Sequence, residues 1–179
     1  SAASDVYKRQ WQVLPELLEA LHIKNPVLLG HSDGGTIALL HAARFALSAC
    51  IVMAPHVMVE EVSIAAIEAS REAFVSGDLR ERLSRFHAHV DTAFWQWNDV
   101  WLSSAFRSFD IRNDCSQIAC DVLALQGIDD TYGTMQQIDD IRPDSGRITR
   151  RALPACAHSP HRCLLYTSPK PTRLRRISY

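Results

Sequence analysis

The spacing of apolar positions divides the chain into segments of two periods. Trp11, Val13, Leu14, Leu17, Leu18 and Leu21 recur at intervals of three and four, which predicts a helix over 11–23. Asn25-Pro26 stops it, because a residue before proline is pushed out of helical backbone. Val27–Leu29 and Ala49–Ala54 are short, continuous apolar runs and read as strands buried on both faces. Thr36–Phe45, between them, is apolar nearly all round, as a helix packed on a sheet should be. From 57 to 118 no strand pattern occurs. Glu61–Phe74 carries apolar residues at helical spacing, and Ser76-Gly77-Asp78 breaks it. Leu79–Trp101 predicts further helices, rich in aromatics, and Ser103–Phe109 a short helical turn. Asp121–Gln126 is a third strand, Thr134–Ile141 a short helix, Pro143–Gly146 a turn, and Arg147–Leu153 a weaker, edge-like strand.

Strand, helix and strand in alternation imply an α/β fold: a mostly parallel sheet with helices on both faces and right-handed crossovers. The helical stretch 57–118 falls between two strands and reads as a cap over the strand ends. The expected organisation is a core over 11–56, a cap over 57–118 and a second core segment over 119–162.

Composition adds few constraints. The chain has 179 residues, 47% hydrophobic and 22% charged, a globular balance, and a net charge of −1 gives no reason to expect nucleic acid or an anionic membrane as partner. No apolar run reaches the length of a membrane span, and no signal peptide is visible. The five cysteines are irregularly spaced without a C-x-x-C, which suggests free thiols in a reducing, cytoplasmic setting. Both ends look foreign. Residues 1–10 resemble the translation of a sequencing adapter, and 163–179 begin with the same adapter read on the opposite strand and continue as a basic tail. The expectation is a fragment, Trp11–Arg162, that lacks its N-terminal strands.

The candidate chemistry begins at Gly30-His31-Ser32-Asp33-Gly34, a G-x-S-x-G motif set between a strand and a helix. A sharp turn there strains the serine backbone, and the flanking glycines relieve the crowding. The serine hydroxyl then stands clear at the sheet's end, beside the N-terminus of the next helix. A serine hydroxyl needs a base, and the base needs a carboxylate to orient it. In α/β sheets, functional groups gather outside the carboxyl ends of the strands. Three such ends here present Ser32, then Asp129 and Asp130, then His158 and His161. Cys156, His158 and His161 make no convincing metal cluster, because no partner set accompanies them.

With these motifs in view, the chain resembles the α/β-hydrolases of the carboxylesterase and valacyclovir-hydrolase type, and is also similar to meta-cleavage C–C bond hydrolases. The carrying residues are Gly-His-Ser-Asp-Gly-Gly at 30–35, Gln-Gly-Ile-Asp-Asp at 126–130 and Cys-Ala-His-Ser-Pro-His at 156–161, in the order serine, acid, histidine. The resemblance implies Ser32 as nucleophile, His158 as general base and Asp130 as acid, with Asp129 the fallback acid and His161 the competing base. It implies the Asp33 N–H as one oxyanion donor. A second donor normally comes from an upstream His-Gly-type loop, which this sequence lacks. Asp121, where proline is often found, and Ala157, where glycine is common, depart from the family. His31 is expected to pack beside the pocket. His56, Trp95, Trp97 and Tyr132 are candidate pocket residues, each with a plainer role in a turn or in holding the cap together. The implied function is metal- and cofactor-free hydrolysis of a small-molecule ester or activated amide. C–C bond hydrolysis, or a non-catalytic ligand-binding protein on the same fold, are the alternatives.

Overall fold

A computed structural model describes residues 9–163. The strands β1 (Val27–His31), β2 (Ala49–Met53), β3 (Asp121–Gly127) and β4 (Ile148–Leu153) form one parallel sheet in sequence order. Gly30 pairs beside Val52, Val52 beside Ala124, and Ala124 beside Arg150, so all four carboxyl ends open on one side. Parallel neighbours need long crossovers. Helix α2 (Asp33–Ala42) links β1 to β2. Helices α3 (Glu61–Ser76), α4 (Leu79–Ser84), α5 (Val90–Leu102) and α6 (Arg112–Cys115) lie between β2 and β3, and α7 (Gln136–Asp139) between β3 and β4. Helix α1 (Leu14–Ala20) precedes the sheet and α8 (Pro160–Cys163) follows it.

The sheet is unevenly covered. On one face Gly30, Cys50, Val52, Val122, Ala124 and Gln126 are all buried. This face contributes to the main core with Leu39 and Leu40 of α2, Ile67, Trp101, Phe109, Ile111 and Ile138. On the other face Leu123 and Leu125 are half-buried, while Val27 and Leu29 at the β1 edge are 56% and 64% exposed. A smaller cluster, Phe74, Val90 and Phe94, joins α3 to α5.

Several boundaries differ from the sequence-based expectation. The predicted helix 11–23 is a π-helical turn, Arg9–Val13, followed by α1, which has no fully buried residue; Leu17 and Leu21 of its apolar stripe lie mostly open. Helix α2 begins at Asp33 rather than Thr36, because the turn at Ser32 starts the helix before propensity alone favours it. Ser103–Phe109 forms hydrogen-bonded turns instead of a helix. An antiparallel bridge, Met58 to Asp110, joins the two ends of the inserted segment where no strand pattern was visible. The foreign-end expectation, apart from residues 9, 10 and 163, lies outside the described residues.

Candidate active site

Ser32 is the hinge between β1 and α2. Its backbone sits at φ 55°, ψ −125°, a region that costs a non-glycine residue about 1–3 kcal/mol. Surrounding bonds hold it there. Its N–H donates to the Met53 carbonyl at 2.9 Å, and its own carbonyl accepts from Gly35 and Thr36 at 2.8 and 3.2 Å. Gly30 makes the turn sterically possible: a β-carbon at that position would collide with the Gly34 carbonyl group. Gly34 itself faces open space, so only one of the two motif glycines relieves crowding directly. Asp33 opens α2, which places its N–H among the unpaired donors of the helix N-terminus.

The loop after β4 brings His158 to this turn. Ser32 Oγ lies 2.9 Å from His158 Nε2. On the far side of the ring, Nδ1 lies 2.9 Å from Asp130 Oδ2 and 3.1 Å from Oδ1. An ionised carboxylate only accepts, so Nδ1 carries the proton and Nε2 is left bare to accept from the serine hydroxyl. The Asp130 side chain is 1% exposed. Burial pushes its carboxyl up, but hydrogen bonds from His158, the Tyr132 N–H and Gln126 outweigh that and leave it below its ordinary value. The loop can come this close because residue 127 is glycine; a β-carbon there would strike the Cys156 and Ala157 carbonyl oxygens.

The alternative residues sit differently from Asp130 and His158. Asp129 is exposed, and its N–H donates outward to the Cys156 carbonyl. His161 packs edge-on against His31 at 4.9 Å, while His158 takes the place beside Ser32. Gln126 was overlooked. Its amide donates to Asp130 Oδ2 at 2.8 Å and to the Gly133 carbonyl at 3.1 Å. The signal was present: a lone amide on the otherwise apolar Val122, Ala124, Gln126 face of β3 must be bonded to something specific.

A cavity of about 270 Å3 opens onto Ser32 and His158, with His31, His56, Ile67, Trp97, Trp101 and Tyr132 in its wall. His31 does more than pack: its Nε2–H donates to the His158 carbonyl at 2.6 Å and so braces the loop. Burial nevertheless lowers its pKa, against the raising effect of that bond. His56 stacks edge-on to Trp101 at 4.8 Å, and its buried Nδ1 has no partner among the described residues. Trp97 and Tyr132 line the cavity. Trp95 does not; it packs against Phe74 and Phe94, with the Arg71 guanidinium 5.2 Å from its ring. Among the described residues no group of three His, Cys, Asp or Glu could hold a metal ion, the cysteines are free, and no helix is long and apolar enough to cross a membrane.

Burial holds His56 down to about 4, from 6.5, with the nearby His158 adding to the shift. The unfolded chain therefore binds a proton here that the fold refuses. Stability from this residue is fully present above pH 6.5 and is lost as pH falls toward about 4, by up to roughly 3 kcal/mol. Urea melts at pH 7 and pH 4.5 should show this loss. In His56→Phe the loss should shrink, and an unchanged loss would remove His56 as its source.

The sequence of residues 2–170 matches the model of the alpha/beta hydrolase family. No curated protein matches the chain. Among solved structures, an alpha/beta fold family hydrolase from Bacillus anthracis str. Sterne superposes with a TM-score of 0.62 at 18% identity, over 89% of this chain and 68% of that one. An alpha/beta hydrolase enzyme from a Medee basin deep-sea metagenome library gives 0.60 at 16%, over 89% and 66%. Proline iminopeptidase from Mycobacterium smegmatis gives 0.57 at 15%, over 83% and 64%. These likenesses are of fold, and the chain spans about two thirds of each partner's length. A parallel sheet with a serine at the turn after β1, and a family match over nearly the whole sequence, lead to one conclusion: the chain belongs to the alpha/beta hydrolase family.

Proposed function

We propose that this protein is a serine hydrolase that cleaves carboxylic esters through an acyl-enzyme. The observation that carries this reading is the unbroken line Ser32 Oγ, His158 Nε2, His158 Nδ1, Asp130 Oδ2, with both gaps at 2.9 Å. Ser32 Oγ attacks the ester carbonyl as its proton passes to His158 Nε2. The resulting imidazolium is stabilised by ionised Asp130. The oxyanion accepts a hydrogen bond from the Asp33 N–H at the start of α2. His158 then hands its proton to the leaving alkoxide, and an activated water reverses the sequence to release the acid. Each oxyanion donor is worth about 3–4 kcal/mol of transition-state stabilisation, so a second donor beside Asp33 N–H would raise turnover steeply. The unpaired cysteines suit a reducing compartment.

A fluorophosphonate probe tests the nucleophile. Peptide mapping is expected to find one phosphonyl group, on Ser32, and Ser32→Ala should abolish the label. Full labelling of Ser32→Ala would end the assignment. A dienol-ketone screened beside p-nitrophenyl esters tests bond type, and exclusive turnover of the dienol-ketone would replace ester hydrolysis by C–C cleavage.

A further inference from the structure

The Ser32 cavity has a far side. Beyond Trp97 and Tyr132 lies a second space of about 280 Å3 beneath α3, α4 and α5. Leu79, Leu83, Val90 and Phe94 give it an apolar lining, and Trp97 and Tyr132 are walls of both spaces. Tyr132 is the divider nearer the chemistry: its ring centroid is 4.8 Å from that of His158. It is fixed at two points. Its backbone N–H donates to Asp130 Oδ1 at 2.8 Å. Its hydroxyl meets Ser70 Oγ at 2.9 Å; Ser70 spends its own proton on the Ala66 carbonyl at 2.9 Å, so the tyrosine is the donor. A ring anchored at its backbone to the acid loop and at its tip to α3 is a partition of fixed position, not a loose surface side chain.

We propose, building on Ser32 as nucleophile, that the two spaces form one binding site for esters of medium-length aliphatic acids, with Tyr132 the partition that sets the accepted chain length. The scissile carbonyl sits at Ser32 and the acyl chain runs past Trp97 and Tyr132 into the space under the inserted helices. A methylene occupies much the same volume as a water, whose share of the liquid is about 30 Å3, so the far space holds about nine of them. Each methylene moved from water into that lining should raise kcat/KM roughly fourfold until the space is full.

The test is a chain-length series of p-nitrophenyl esters, acetate to laurate, on the full chain, read as the ratio of kcat/KM to that for acetate. In the unaltered protein the ratio is expected to climb through octanoate to about decanoate, whose roughly nine carbons beyond the carbonyl match the far space, and to decline by laurate. Tyr132→Ala keeps the backbone bond to Asp130 but removes the partition, so the optimum should move toward laurate. Tyr132→Phe keeps the ring without its tether and should broaden the optimum. Leu83→Trp, or Leu79→Trp if the first fails to fold, fills the far space and should cut the octanoate ratio at least tenfold, the worth of about two methylenes. Ratios unmoved by both filling and emptying would overturn the proposal. If no ester is turned over, hydrolysis itself is refuted, and titration calorimetry with octan-1-ol decides the far space separately. Binding weakened at least tenfold by Leu83→Trp supports the chamber, and binding that is absent or indifferent to it refutes it.

Discussion

His158→Ala is expected to lower kcat/KM for an ester by about 10^6, and Asp130→Asn by about 10^4. The difference follows from what each group does. Without the imidazole, no other side chain among the described residues is hydrogen-bonded to Ser32 Oγ to take its proton, and the hydroxyl is a poor nucleophile. With Asp130→Asn the imidazole remains, but the bond that fixes its tautomer changes character. The new amide can donate to Nδ1, which drives the proton to Nε2, where it faces Ser32 and blocks acceptance. Gln126 and the Tyr132 N–H, built to donate to two carboxylate oxygens, would then compete for a single amide oxygen. Initial rates, with circular dichroism to confirm folding, measure both. A His158→Ala protein within tenfold of the original would mean that the base is another residue.

The second large effect is one of stability and has opposite outcomes at two glycines four residues apart. Gly30→Ala forces a β-carbon into the Gly34 carbonyl, which is backbone and cannot swing away. Overpacking of this kind costs about 3 kcal/mol or more, equivalent to roughly a 10 °C fall in Tm for a chain of this size. Gly34→Ala meets nothing within 4 Å, and its backbone is not in the left-handed region. It lies in the first turn of α2, where alanine is favoured over glycine by up to about 1 kcal/mol. It should therefore leave Tm unchanged or raise it. Thermal melts of the two variants decide the matter, and equal losses at both positions would show that the turn is not held by the Gly30–Gly34 approach.

The features legible in the sequence were those set by local periodicity and turn chemistry. Val27–Leu29, Ala49–Ala54 and Asp121–Gln126 stood out because strands buried in a parallel sheet are continuously apolar. Ser32 and Asp130 could be picked out because each follows such a strand, and His158 because it lies in the loop after the weaker strand Arg147–Leu153; the structure brings the three together. Partnership across the chain was not legible. That Gln126 braces Asp130, and that His31 braces the His158 carbonyl, depends on side-chain direction in three dimensions. Trp95 takes the plainer of its two expected roles, holding the inserted helices together, for a simpler reason. Residues two apart on a helix point away from each other, whereas Phe94, Trp97 and Trp101, spaced three and four apart, share a side. Helical spacing alone would have put Trp97 and Trp101 on the cavity side of α5 and Trp95 off it.

Ser32 and His158 lie 126 positions apart in the chain. In the order of synthesis β1, α2 and β2, which build the Ser32 turn, precede the His158 imidazole, which follows β4. On the proposed mechanism a chain that stops short of β4 lacks the imidazole, so docking of the loop after β4 is the step that would arm the hydroxyl.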